Sequence, residues 1–134
     1  NPVNHGSTPE GISIYRVEPY VVAADVYGVV PHLGRGGWTW YTGSSGWMYR
    51  LITESLLGLQ LEANTLRFAP RPPKSWPSFK FHYRFRETVY HILIQNGGDG
   101  KTVRRMTIDG KDQPEHVVLL VNDQGNHDVE IELE

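Results

Sequence analysis

Cysteine is absent from the 134 residues. That excludes a disulfide framework and any thiolate nucleophile or metal ligand, and it fits a reducing compartment. Charge of one sign is missing too. Thirteen Lys and Arg stand against 15 Asp and Glu, for a net charge of −2, so no global field favours nucleic acid as a partner. No run approaches the roughly 18 apolar residues of a membrane-spanning helix, and no basic segment leads into an apolar one as in a secretory signal. The six histidines show no H-x-x-x-H spacing. His82 and His91 fall in strand-like segments, His116 and His127 flank turns, and no metal is expected. A Gly-x-Ser-x-Gly elbow and a dinucleotide fingerprint are also missing. The first residue is Asn1 rather than Met, which leads to the expectation of a processed or excised piece. With 39% hydrophobic and 21% charged residues, the chain reads as a globular domain or two small lobes.

What the chain has in excess lies in residues 34–50. Five glycines, three tryptophans and two tyrosines occur there within seventeen residues. Flexible backbone beside indole faces suits a pocket for a sugar and an anion.

The chain changes character near Gly58. Before it, Glu18-Pro19-Tyr20 reads as a helix start. Tyr20, Ala23, Ala24 and Tyr27 then fall on one helical face, and Gly28 is a stop. A Gly- and aromatic-rich loop over 29–43 precedes a second helix, expected to begin at Ser44 or Ser45 and to end at Gly58. Met48, Leu51, Ile52 and Ser55 share one face of it, with Leu56 beside them. After Gly58 the period becomes two. Phe79, Phe81, Tyr83 and Phe85 alternate with Lys80, His82, Arg84 and Arg86, which predicts a half-buried strand. Tyr90, Ile92 and Ile94 continue after a turn near Glu87. Asn96-Gly97-Gly98 and Asp109-Gly110 are turn signals. Val117–Val121 reads as a central strand, and Val129, Ile131 and Leu133 alternate with acidic residues. Six or seven short strands suggest a sandwich, and the Pro-rich stretch Pro70–Pro73 with Trp76-Pro77 reads as a stiff connection. Two helices apolar on several sides cannot bury themselves against each other, so the remainder of a longer polypeptide or an oligomer is the expected partner.

Thr42-Gly43-Ser44-Ser45-Gly46 stands at the start of the second helix. Unpaired N–H groups and the positive end of the helix dipole make a phosphate cradle there. The same residues also describe an ordinary capped helix. Trp38 and Trp40 present apolar faces that a pyranose stacks on, or that pack, whereas Trp47, inside the helix, reads as core. Arg35 between two glycines can clamp an anion or a pair of sugar hydroxyls, or stand solvated. Glu18 and Asp25 can accept from sugar hydroxyls. Glu18 can equally begin a helix. Lys80, Arg84 and Arg86 read as a solvated sheet face rather than a polyanion site.

Laid out this way, the chain resembles the C-terminal end of glycoside hydrolase family 94, and within it the phosphorylase-like end of the cyclic β-1,2-glucan synthases. The residues that carry the resemblance are Asn1–His5, Tyr15–Tyr27, Gly34–Arg50, and the Gly58–Pro77 passage with its Pro72-Pro73-Lys74-Ser75-Trp76-Pro77. It covers the chain closely to Phe79 and more loosely beyond. The resemblance implies an α+β arrangement: the last helices of an incomplete α/α barrel over residues 1–58, then a C-terminal antiparallel β-sandwich over 59–134. It implies cleavage of a β-glucosidic bond by inorganic phosphate, with inversion and release of glucose 1-phosphate. No further cofactor is implied. A carboxylic acid protonates the leaving oxygen, and phosphate replaces the activated water of the inverting hydrolases. The family's general acid and phosphate-binding His lie upstream, so no catalytic residue is expected in this chain, and the chain alone is expected to be inactive. The family's Thr-Gly phosphate pair corresponds to Thr42-Gly43, with Ser44 beside it. Glu18, Arg35, Trp38 and Trp40 are the expected substrate-binding residues. Relatives that cleave disaccharides carry a Gln after the Glu-Pro-Tyr element. Ala23 and Ala24 stand there in this chain, which favours a β-1,2-glucan. The implied setting is the cytoplasmic face of a bacterial inner membrane, in a membrane-anchored enzyme that can form homo-oligomers. Two other readings stand beside this one: a non-catalytic carbohydrate-binding or structural sandwich, and a stand-alone β-1,2-oligoglucan phosphorylase.

Overall fold

The computed structural model of the chain describes residues 2–97 and 102–134. They divide into two compact units, one running to Leu51 and one from Ile52 to Glu134. No helix among the described residues is long and apolar enough to cross a membrane.

The first unit is mostly irregular. It holds α1 (Pro2–His5), α2 (Pro9–Ile14) and α3 (Thr42–Arg50). Helix α2 begins as its sequence dictates: the Thr8 hydroxyl accepts the Gly11 N–H, and Pro9 occupies the first turn. The helix expected over residues 18–27 does not form. Glu18-Pro19-Tyr20-Val21 closes a turn instead, with the Val21 N–H donating to the Glu18 carbonyl at 3.3 Å, and Pro19 at the position a β-turn favours. Beyond it the backbone pairs with the glycine-rich loop. Ala24 N–H donates to Trp38 O, Tyr27 N–H to Arg35 O, and Gly34 N–H to Tyr27 O. Val21, Val22 and Val26 lose side-chain freedom in a helix, and the Asp25 carboxylate takes the Trp38 N–H at 3.0 Å. Local helical spacing therefore yields to pairing across the loop. The face expected to be buried is open: Tyr20, Ala24 and Tyr27 are exposed, and Val17 and Val21 are the buried apolar residues instead.

Gly34 makes this pairing possible. Its φ is +80°, and a Cβ there would lie 1.5 Å from the Ile14 carbonyl oxygen. Only glycine permits that approach. Between α3 and the strands, Leu51–Leu56 is π-helical, closed by the Leu57 N–H on the Ile52 carbonyl at 2.8 Å. The second expected helix is thus present, starting two residues early and widening at its end.

Among the described residues the second unit carries eight strands: β1 (Leu59–Glu62), β2 (Thr65–Phe68), β3 (Ser78–Phe85), β4 (Thr88–Asn96), β5 (Val103–Ile108), β6 (Lys111–Asp112), β7 (Val117–Leu119) and β8 (Asn126–Leu133). They form a three-stranded sheet, β1-β2-β7, and a five-stranded sheet, β3-β4-β8-β5-β6. Leu66, Phe68, Val118 and Leu120 from the first sheet and its margin join Tyr90, Ile92, Ile94, Met106, Val129, Ile131 and Leu133 from the second in one core. A sandwich-like domain results, built as the alternation of β3, β4 and β8 predicts. Phe79, Phe81, Tyr83 and Phe85 line the half-buried side of β3 and pack on that core. Asp109-Gly110 forms the expected tight turn, with φ of +51° and +76°. Gly98, of the expected Asn96-Gly97-Gly98 turn, lies outside the described residues, as does Asn1 of the first motif.

Two expectations are corrected. The larger sheet is mixed, because β4 and β8 run parallel. The strand at Val117–Leu119 is an edge strand. Its Val118 is buried while Leu119 is exposed, so one face of the apolar run Val117–Val121 is left at the surface.

His127 ties the loops of this unit together. Its Nδ1 lies 2.7 Å from Asp109 Oδ2 and its Nε2 lies 3.0 Å from Asp123 Oδ2, with the ring stacked on Tyr90. The hydrogen bond that the His127 ring donates to Asp109 raises the His127 pKa above 6.5, against the opposing effect of burial and with help from Asp123. The His127 and Asp128 hydrogen bonds hold Asp109 below 3.8. The Gly125 N–H, then the Thr88 hydroxyl, hold Asp123 below 3.8. Signs follow by linkage. The His127 contribution is complete below its unfolded pKa and is lost as pH rises through the raised folded value. The aspartate contributions are complete above 3.8 and are lost as pH falls through the lowered ones. Stability from this cluster therefore peaks between about pH 4 and 6.5. Urea midpoints should fall from pH 6 to pH 8.5, and His127→Gln should flatten that slope. An unchanged slope in the variant would remove His127 as its source.

Candidate functional site

Several of the residues singled out in the first unit lie at the start of α3. Tyr41 is the N-cap and gives no side-chain cap, so the first-turn N–H groups receive no side-chain acceptor from the cap position. The positive end of the helix dipole lies there. Thr42, the first helical residue, is exposed, and Gly43 is half-buried. A Cβ on Gly43 would meet the Tyr41 ring at 2.5 Å, so glycine lets the ring fold back beside the helix start. Ser44 behaves differently from its neighbours. Its Oγ lies 2.6 Å from Val22 O and 2.7 Å from Tyr41 O. One proton serves two carbonyls, and none is left to donate to an anion. Ser44 fastens the helix start to the Val22 segment.

The aromatic residues form two pairs. Trp38 stacks on Tyr41, with centroids 4.4 Å apart. Trp40 donates its Nε1–H to Glu18 Oε1 at 3.3 Å and meets Tyr20 at 5.9 Å. Glu18 thus orients an indole, and the faces of Trp38, Trp40 and Tyr20 stay open. Trp47 is 71% exposed, contrary to the reading that placed it in a core. It lines an apolar groove of about 400 Å³ with Ala24, Tyr41, Ser44, Met48 and Leu51. Arg35 lines a separate polar recess of about 120 Å³ with Tyr27, His32, Gly36 and Gly37.

The structure therefore groups Glu18 with Trp40, Trp38 with Tyr41, and Ser44 with Val22, and sets Arg35 in its own recess. Sequence reading counted Tyr41 with Trp38 and Trp40 among the aromatic faces, but it missed Tyr20 and the stacking of Tyr41 on Trp38. It also missed the positioning role of Asp25, whose carboxylate a Cβ on Gly37 would strike at 2.0 Å. Adjacency of Tyr41 to Thr42-Gly43 was a usable hint. The pairing of Asp25 with Trp38 had no local sign. Chemically, the site offers backbone donors at a helix start beside the exposed side chains of Trp38 and Trp40.

Comparison with known proteins gives the same direction. Residues 1–58 match the catalytic domain of the glycosyl hydrolase 94 superfamily, and residues 59–112 match the C-terminal domain of glycosyl hydrolase family 65. The chain is similar to cyclic beta-(1,2)-glucan synthase NdvB of Rhizobium meliloti (strain 1021), with 46% identity over 70% of this chain and 3% of that protein. It is similar to solabiose phosphorylase of Paenibacillus borealis, with 30% identity over 87% of this chain and 15% of the relative. It also resembles N,N'-diacetylchitobiose phosphorylase of Vibrio proteolyticus, with 36% identity over 58% of this chain and 10% of the relative. The chain thus spans a small part of the length of each.

Proposed function

We propose that the chain, whose residues 1–58 match the glycosyl hydrolase 94 catalytic domain, is the C-terminal part of a phosphorylase-like module that trims β-1,2-glucan by phosphorolysis within a cyclic β-1,2-glucan synthase. The observation that carries this reading is the 46% identity to such a synthase. The uncapped start of α3 beneath exposed Trp38 and Trp40 supports it. In this reading residues 1–58 complete an α/α barrel whose other helices lie upstream, and residues 59–134 form its C-terminal sandwich. The enzyme is membrane-anchored, with this part facing the cytoplasm, and it is able to self-associate.

The Thr42 hydroxyl and the first N–H groups of α3 donate to inorganic phosphate, and the helix dipole favours its charge. Ser44 holds the cradle in place. Trp38 and Trp40 carry the apolar faces of the glucosyl unit, Glu18 fixes the Trp40 indole, and Arg35 lines the sugar site. An upstream carboxylic acid protonates the leaving oxygen. Phosphate attacks the anomeric carbon from the opposite face, the glucosidic C–O bond breaks, and α-glucose 1-phosphate leaves. The test is phosphorus NMR on the complete polypeptide with β-1,2-glucan and phosphate. The α-anomer of glucose 1-phosphate should appear, and the 134-residue chain alone should give none. Turnover by the short chain, or glucan cleavage indifferent to phosphate, would overturn the assignment. The match to solabiose phosphorylase across 87% of this chain favours a second setting, a stand-alone phosphorylase. Membrane spans upstream in the same reading frame would decide against that setting.

A further inference from the structure

The outer face of the five-stranded sheet carries a pair of side chains that the phosphorolysis reading does not use. His82 on β3 and His91 on β4 are register partners. Residues directly opposite in an antiparallel pair have Cβ atoms about 4.5–5.5 Å apart, close enough for the rings to meet. Their centroids are 4.7 Å apart at 85°, and the two Nδ1 atoms lie 2.6 Å apart. On the far side of its ring, His91 Nε2 lies 3.2 Å from Asn126 Oδ1. A carbonyl oxygen only accepts, so Nε2 carries the proton. That leaves His91 Nδ1 with a lone pair aimed at His82. This is the tautomer of an Nδ1 metal ligand whose outer N–H is held by an oxygen.

One strand further, Asp128 on β8 is the register partner of His91. Asp128, Glu130 and Lys80 line the same recess of about 350 Å³ as the two histidines. We propose that His82 and His91 chelate a divalent transition metal of borderline softness, Zn²⁺ or Cu²⁺, through their Nδ1 atoms. Imidazole suits these ions. Two nitrogens bound tetrahedrally at about 2.0–2.1 Å sit about 3.3 Å apart, so small ring rotations that part the nitrogens by about 0.7 Å admit the ion once the proton that His82 Nδ1 donates to His91 Nδ1 has moved to His82 Nε2. Among the described residues no three His, Cys, Asp or Glu side chains converge on a ready-made cage. The site is therefore an open two-histidine chelate completed by water, with the Asp128 and Glu130 carboxylates lining the recess and Lys80 opposing the ion's charge. It had no sign in the sequence, because a nine-residue separation becomes a contact only through the β3–β4 register.

Zn²⁺ titrated calorimetrically into the full chain should bind one ion per chain. His82→Ala or His91→Ala should weaken that binding at least tenfold. Asn126→Ala, which frees the His91 ring, should weaken it roughly tenfold, and His116→Ala should leave it unchanged. The replaced side chains face outward, so metal-free melting curves should stay close to the parent's. Binding that survives the double histidine variant, or no binding by the parent, overturns the proposal. If a variant fails to fold, Cu²⁺ electron paramagnetic resonance on the unaltered chain decides. Two coupled imidazole nitrogens support the chelate, and fewer than two overturn it.

Discussion

Thr42→Val in the complete polypeptide should raise the KM for phosphate and lower the phosphate kcat/KM by roughly 10- to 100-fold. A hydrogen bond to a charged group contributes about 1.5–3 kcal/mol, and a tenfold rate change is about 1.4 kcal/mol. Valine keeps the shape of threonine and removes only the hydroxyl. The helix start should survive, because Tyr41 rather than Thr42 is its cap and gives no side-chain bond there. Thr42→Ser restores a hydroxyl and should recover most of the loss. Affinity for glucan, measured without phosphate, should stay as it was. In the proposed mechanism phosphate is the nucleophile, so the loss should appear at limiting phosphate and shrink as phosphate is raised. Unchanged phosphate kinetics would remove the helix start from the mechanism.

Tyr90→Ala should cost about 3–5 kcal/mol of unfolding free energy, the range for deleting a large buried aromatic ring. Tyr90 is among the largest fully buried side chains. It packs in the shared core and stacks on His127. Its hydroxyl accepts the Val121 N–H at 2.8 Å and so holds the segment after β7 against β4. Tyr90→Phe keeps the ring and loses only the hydroxyl, which accepts the Val121 N–H and donates to Val121 O at 3.4 Å, for about 1–2 kcal/mol. Urea unfolding of both variants separates the two contributions. Equal losses would mean that the hydroxyl, rather than the ring, anchors this side of the core.

The sequence was legible where one residue type repeated with the period of one structure. Phe79, Phe81, Tyr83 and Phe85 predicted β3, its buried side and its turn into β4, because alternation needs no distant partner to be read. The same reasoning failed over residues 18–27. Tyr20, Ala23, Ala24 and Tyr27 have helical spacing, yet the backbone donors of Ala24 and Tyr27 go to Trp38 and Arg35, and no local pattern reports a bond across the glycine loop. The parallel pairing of β4 with β8 was hidden for the same reason. Alternation in residues 126–133 specifies a two-faced strand but not its neighbour. At the site, Trp40 was recognised by composition, while its bond to Glu18 across 22 positions came only from the fold. Ser44 was recognised as a cap-region hydroxyl, but its commitment to Val22 O was not foreseeable.

The place of β8 has a consequence for how the domain is made. Residues 126–133 follow every other strand in sequence, yet they lie between β4 and β5 at the middle of the five-stranded sheet. Until that segment leaves the ribosome, β3-β4 and β5-β6 are two separate hairpins with nothing between them. The sheet can close only once residues 126–133 have emerged, and it closes slowly for its size, because long-range closure comes before most of the reward. A nascent chain that has made β6 but not β8 exposes the apolar faces of both hairpins, which makes it a substrate for chaperones.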